Sequence, residues 1–295
     1  MSGARVRRQG RTPRRRRALV IVLSLVALAL AGAGVWGFRS MNSMPGAKAT
    51  PEQIRLLARE SVGEGDAKVS YLRAGEAHRP RVIYVHGTPG DALAFADFLV
   101  DPLPGFESIS VDRLGFGSSG AQAGGEPSFE VQARALVPLL VQREGQWPIL
   151  VGHSLGGPIV AKLAALEPGK VRAVVLVSAS LDPAHENPGF WQRLVTVGLV
   201  RTRLPPALNH SLGELERARA ETLKLADDLP NVRCPAFIIH GDSDGLVPYA
   251  NVAYMQKALT GVEFLRVRTL ERQGHFVPWE RPDAIREAVR ELARK

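Results

Sequence analysis

The sequence predicts an α/β fold: a doubly wound, mostly parallel sheet carrying a small helical lid and preceded by an N-terminal transmembrane helix. Three observations predict it. Short, solidly apolar, β-branched runs alternate with longer helical patterns from about Val82 onward; one long interval breaks that alternation; and Ala18 to Phe38 carries no charge. With 295 residues, 45% of them hydrophobic, the chain has ample material for one large core.

The strand candidates are Val82 to Val85, Ile109 to Val111, Ile149 to Val151, Ala173 to Val177, Phe237 to Ile239 and Phe264 to Val267. Strands this uniformly apolar are buried on both faces, which requires helices above and below the sheet. The helical patterns lie near Leu93 to Val100, Phe129 to Gln142, Leu155 to Leu166, Tyr249 to Leu259 and Asp283 to Ala293. Thr50-Pro51-Glu52-Gln53 reads as a capped helix start, and a short amphipathic helix is expected from there to about Glu60. Between Ser178 and Ala236 lie about 55 residues interrupted by Pro188, Pro205 and Pro206; an excursion of that length reads as an inserted lid, placed at about 181–230, rather than a loop.

At the other end, the apolar run of Ala18 to Phe38 would span roughly 30 Å as a helix, one bilayer core. Eight arginines precede it with no acidic residue among them, which places the N-terminus in the cytoplasm and exports the rest. The expected organisation is a basic tail over residues 1–17, a signal anchor over 18–38, a linker over 39–50 and one domain over 51–295. In a bacterium this is a single-pass protein of the cytoplasmic membrane with its domain on the periplasmic or extracytoplasmic side. Ala31-Gly32-Ala33 offers a small-residue cleavage pattern, so removal as a signal peptide is the competing outcome; the long apolar run favours the anchor.

The formal charge of +9 would raise nucleic-acid binding, but taking the eight tail arginines from nine leaves the body with one net positive charge. Nucleic acid is therefore not an expected partner. Cys234 is the single cysteine, which excludes an internal disulfide and a cysteine-based metal cluster. Val232, Pro235, Ala236 and Phe237 around it mark a buried strand entry, so it reads as a core residue.

The chemistry-bearing segment is Ile149-Leu150-Val151-Gly152-His153-Ser154-Leu155-Gly156-Gly157, where an apolar strand runs into a helix. That is the context a G-x-S-x-G nucleophile elbow requires, with small residues flanking a sharp, strained turn. Together with His86-Gly87-Thr88-Pro89-Gly90 after an earlier strand, it resembles the α/β-hydrolase fold superfamily over nearly everything from Val69 to Lys295. The resemblance implies an oxyanion hole made by the backbone N–H groups of Thr88 and Leu155. Asp112-Arg113-Leu114-Gly115-Phe116-Gly117-Ser118-Ser119 is similar to the family's D-x-x-G-x-G-x-S turn, in which Asp112 is structural.

Serine needs a base, itself oriented by a carboxylate. Of seven histidines, His86 and His153 belong to the two loops already named, His240 ends a strand, and His78, His185 and His210 lie in a polar turn or the lid, where solvated or locally bonded side chains are expected. His275 remains, in a stretch similar to the family's G-H-x-x-x-x-E-x-P signature. Gly241-Asp242-Ser243-Asp244-Gly245-Leu246-Val247-Pro248 resembles the family's G-x-x-D-x-x-V-P stretch, which selects Asp244 over Asp242 and makes Asp182 unnecessary. The order Ser154, Asp244, His275 is the family's own.

The resemblance implies acyl transfer without a cofactor or metal, on a small ester or related acyl substrate. Carbon–carbon, thioester or amide hydrolysis and a haloperoxidase-like activity would use the same residues, and a non-catalytic interaction module on this fold is the reading from another class. Phe190 and Trp191 in the lid and Trp279 beside His275 are the candidate substrate contacts. The oligomeric state is not legible.

Overall fold

The protein is described from a computed structural model, covering residues 46–120, 128–186 and 204–294. Its centre is an eight-stranded sheet in the order β1-β2-β4-β3-β5-β6-β7-β8. The strands are β1 (Ala58–Val62), β2 (Val69–Gly75), β3 (Arg81–Val85), β4 (Glu107–Val111), β5 (Ile149–His153), β6 (Ala173–Val177), β7 (Ala236–Gly241) and β8 (Leu265–Leu270). β1 and β2 run antiparallel to their neighbours, and every pairing from β4 through β8 is parallel.

Alternation along each strand sends successive side chains to opposite faces. Ile83, Val85, Leu150, Val174, Leu176 and Ile238 join one core, with helices α3 (Phe129–Leu136), α4 (Gly156–Leu166) and α6 (Ala250–Ala258) packed on it. Val82, Tyr84, Ile149, Val151, Val175, Phe237 and Ile239 join the other, under α2 (Ala96–Val100) and α8 (Pro282–Ala293). The sheet is thus wound on both sides, as its solidly apolar strands require. The remaining α-helices among the described residues are α1 (Pro51–Arg55), α5 (Pro206–Ala226) and α7 (Val277–Glu280).

Two expectations are corrected. The helix starting at Thr50 has the expected capping box, with Gln53 N–H donating to Thr50 Oγ1 (3.3 Å) and Thr50 N–H to Gln53 Oε1 (2.9 Å), but it ends at Arg55 rather than near Glu60. Ala58–Val62 instead forms edge strand β1, because pairing with β2 in register from Ala58↔Arg73 to Val62↔Val69 satisfies its backbone better than one more turn of a short helix. α3 stops at Leu136, six residues early: Pro138 lacks an N–H and its ring clashes with the preceding turn, so a 3₁₀ turn over Val137–Leu139 replaces the helix.

The described part of the expected lid contains α5, which buries Glu214, Ala218, Glu221 and Leu225. Glu221 Oε2 accepts from Phe129 N–H (3.0 Å), capping α3 from outside with the negative charge a helix N-terminus favours. The last residues of the expected linker lie on the domain, with Lys48 and Ala49 N–H donating to Asp97 at 3.0 and 2.7 Å. Among the described residues no helix is long and apolar enough to cross a membrane. The expected span of 18–38 lies outside them, as do Phe190 and Trp191.

Candidate active site

The parallel strands end on one edge of the sheet, and the loops that leave them there bring His86, Asp112, Ser154, Asp244 and His275 to that edge. Ser154 follows β5 with φ +54, in the left-handed region that costs a non-glycine residue conformational energy. Neighbours hold it there: Ser154 N–H donates to Val177 O (3.0 Å), and Ser154 O accepts from Gly157 N–H (2.9 Å). The turn closes only because Gly152 and Gly156 lack side chains. A Cβ on Gly152 would lie 2.4 Å from Gly156 O, and one on Gly156 would lie 2.2 Å from Val85 O.

Beside the serine runs the loop after β3. Gly87 packs so closely that an added Cβ would lie 2.7 Å from Ser154 Cβ. Among the described residues neither Thr88 N–H nor Leu155 N–H donates to another group of the protein, so both remain for an oxyanion. His86 is fully buried, donating from Nδ1 to Gly87 O (2.7 Å) and accepting at Nε2 from Arg113 N–H (3.2 Å). Burial, reinforced by the Arg113 charge, holds its pKa well below the ordinary value, so the ring is neutral. Asp112 accepts from Ala92 N–H (2.7 Å), Ser118 N–H (2.9 Å) and Arg59, which ties the loops after β3 and β4 to the edge strands. Its contacts are those of a structural residue.

On the far side, Asp244 Oδ1 accepts from Leu246 and Val247 N–H at 2.9 and 2.8 Å, and Oδ2 faces His275 Nδ1 at 2.8 Å. Burial works against its charge, yet the hydrogen bond and charge of His275 and the two backbone N–H groups together hold its pKa below the ordinary value. An ionised Asp244 puts the proton of a neutral His275 on Nδ1 and leaves Nε2 as an acceptor, the tautomer a general base requires. Two further histidines brace this pair. His240 donates from Nε2 to Val247 O (3.0 Å), fixing the turn that carries Asp244, and His153 donates from Nε2 to His275 O (3.0 Å). Burial, then the neighbouring His275, pushes the His153 pKa down to about 3, so it donates as a neutral ring. Among the described residues no hydrogen bond joins Ser154 Oγ to His275, a contact that in unliganded enzymes often tightens only with substrate.

The other candidates sort by contact. Asp242 is exposed and accepts from Ser243 Oγ (2.9 Å) and Arg272 N–H (2.7 Å), away from His275. Asp182 accepts from Ala184 N–H (2.9 Å) and lies 2.8 Å from His185 Nδ1, a local turn. Trp279 is buried with its ring edge-on to His153 (5.5 Å between centroids), in a crevice shared with Ala47, Ala49 and Leu93. Cys234 is buried as expected, and burial pushes its thiol up to about 12. His210 departs from the solvated reading: it packs edge-on against Phe116 (4.9 Å), and its Nε2 is buried without a hydrogen-bond partner. Arg113, His153 and His240 have contacts at this site that their sequence contexts gave no reason to single out.

A family model described as the alpha/beta hydrolase fold matches residues 80–197. The chain is 27% identical over 258 residues to an esterase of Mycobacterium tuberculosis, covering 75% of this chain and 85% of that one; the crystal structure of that esterase superposes with a TM-score of 0.58 over 88% of this chain and 96% of its own. It is 23% identical over 279 residues to a 2-hydroxy-6-oxononadienedioate/2-hydroxy-6-oxononatrienedioate hydrolase of Paraburkholderia xenovorans (81% of this chain, 95% of that one). It is 25% identical over 245 residues to a protein of Synechocystis named as a non-heme chloroperoxidase (69% and 87%). Fold and relatives together define a serine hydrolase. Its fold is that of the α/β hydrolases.

Proposed function

We propose that this protein hydrolyses carboxylic esters or closely related acyl bonds, with Ser154 as nucleophile, His275 as general base and Asp244 as the orienting acid. The observation that carries the reading is the 2.8 Å contact of Asp244 with His275 Nδ1, on loops that also bring His275 against His153, the residue next to a serine at φ +54. His275 Nε2 takes the Ser154 Oγ proton as Oγ bonds to the carbonyl carbon. The carbonyl π pair moves onto oxygen, where Thr88 and Leu155 N–H receive it. Collapse breaks the bond to the leaving group, which takes the proton from His275. Water, deprotonated by the same ring, then attacks the acyl-enzyme and releases the acid.

The relatives named esterase and hydrolase support this class of reaction. A fluorophosphonate probe should label the full-length chain in detergent micelles, and p-nitrophenyl esters of graded acyl length should be turned over. Ser154→Ala should lose both. Equal labelling of Ser154→Ala would remove the nucleophile assignment; labelling without turnover of any ester would redirect the substrate class to a thioester, amide or carbon–carbon bond.

The same proposal places the enzyme at a bacterial cytoplasmic membrane, held by residues 18–38 with its domain on the outer side, because all eight tail arginines precede the apolar run. An export-dependent alkaline phosphatase fused after Lys295 should be active in a bacterial host; an inactive fusion, produced at the same level, would overturn this topology.

A further inference from the structure

Arg113 lies in the turn after β4, with its side chain wholly shielded from solvent. A buried guanidinium has to be paired, and this one has three kinds of partner. Nη1 and Nη2 grip the two carboxylate oxygens of Glu214 on the lid helix α5, with 3.0 Å for Nη2, across 101 positions of chain. Its face covers Phe116, with Cζ 4.7 Å from the ring centroid. Nη2 also donates to Gly87 O at 2.8 Å, where His86 Nδ1 is the second donor at 2.7 Å.

That carbonyl is half of a peptide group whose other half is Thr88 N–H. The Gly87–Thr88 peptide is trans, so its C=O and N–H point in opposite directions within one rigid plane. Two donors that fix the oxygen therefore also aim the N–H. They polarise it as well, because a peptide group that accepts a hydrogen bond becomes a stronger donor, and a charged donor does more than a neutral one. A lysine could not reproduce this: reaching a carbonyl and both oxygens of a carboxylate takes a planar fork, not a point charge.

We propose that Arg113 is a positioning residue of the oxyanion hole, aiming and polarising the Gly87–Thr88 peptide, and that Glu214 holds it there, so that seating of the lid helix is coupled to stabilisation of the transition state. This rests on Thr88 N–H being an oxyanion donor, as proposed above. α5 has a second anchor, Glu221 on Phe129 N–H, so it is expected to keep its seat when Glu214 is altered. His210, one turn before Glu214 on the same helix, packs on Phe116 and closes around the turn that carries Arg113: a Cβ on Gly115 would lie 2.6 Å from its ring.

A purely structural ion pair predicts something different, and the two separate experimentally. With the full-length enzyme in detergent, kcat and KM for a p-nitrophenyl ester are compared with the inhibition constant of a trifluoromethyl ketone, whose serine adduct places an oxyanion in the hole, and with that of an alcohol product, which leaves the hole empty. Arg113→Lys should lower kcat by roughly 10- to 100-fold with little change in KM, and weaken the ketone by the same factor while leaving the product unaffected. Glu214→Gln, nearly isosteric, should act in the same direction by about 3- to 10-fold. The paired Arg113→Met/Glu214→Leu change removes both buried charges at once, so its melting temperature should return near the parent's. Its kcat should stay low, because Gly87 O still lacks the cationic donor. Recovery of kcat together with stability would reduce Arg113 to packing and overturn the proposal, as would an Arg113→Lys or Glu214→Gln enzyme with parental kcat and ketone affinity. If Arg113→Lys does not fold, the other two variants decide. A parent enzyme that neither reacts with fluorophosphonate nor turns over ester would instead overturn the hydrolytic reading beneath it.

Discussion

The two halves of the proposed catalytic site are held in place by different means. On the acid–base side, Asp244 is gripped by N–H groups of its own turn, Leu246 and Val247, and that turn is pinned by His240 from the adjoining strand end. Everything that orients the carboxylate lies within seven residues of chain, His275 apart. On the oxyanion side, the Gly87–Thr88 peptide is oriented by Arg113 from the next strand's turn and, through it, by Glu214 from the inserted helix. The acid arm is assembled by local structure and the oxyanion arm by tertiary docking. Damage to the first should therefore stay local, whereas the second should respond to changes in the lid.

Substitutions can break this comparison at either end. The largest effect is expected from Asp244→Asn, which keeps the turn's shape but can no longer stabilise the imidazolium that forms during attack; kcat should fall by about 10³- to 10⁴-fold with KM nearly constant, read from ester hydrolysis. A loss under tenfold would mean that another carboxylate orients His275. Next is Gly87→Ala. Its methyl would press on Ser154 Cβ at 2.7 Å and move either the nucleophile or the oxyanion peptide, so roughly 10²-fold in kcat/KM is expected. Activity within threefold of the parent would show that this loop yields more readily than its packing implies. The smallest is Asp242→Asn, two residues from the acid yet bonded to Ser243 and Arg272; ester turnover should stay within about twofold, and a large loss would overturn the choice between the two aspartates.

Six strands were legible because a parallel strand covered on both faces has to be apolar throughout, and Val82 to Val85 or Ala173 to Val177 can be little else. β1 and β2 were not. Ala-Arg-Glu-Ser-Val is an edge strand whose side chains are nearly all exposed, and its one structural demand, a partner, is invisible in its composition. Ile54, Leu56 and Leu57 even mimic a continuing helical stripe. Ser154, Asp244 and His275, the proposed nucleophile, acid and base, could be singled out because a strained elbow and two loop signatures restrict residue types over short spans. Arg113 and Glu214 were not, since nothing in a turn or a helix face announces a partner 101 positions away. His153 was read as part of the elbow, but its bond to His275 O depends on how two loops meet.

In the proposed mechanism the loop after β3 contributes only a main-chain N–H, so the side chain of residue 88 has no catalytic step of its own. The Thr88 hydroxyl is buried and without a hydrogen-bond partner among the described residues. The peptide behind this side chain is anchored by Arg113 and His86 through Gly87 O, whatever residue stands at 88. On the proposed mechanism, position 88 is a place where a change of side chain should alter substrate range while leaving the catalytic step as it is.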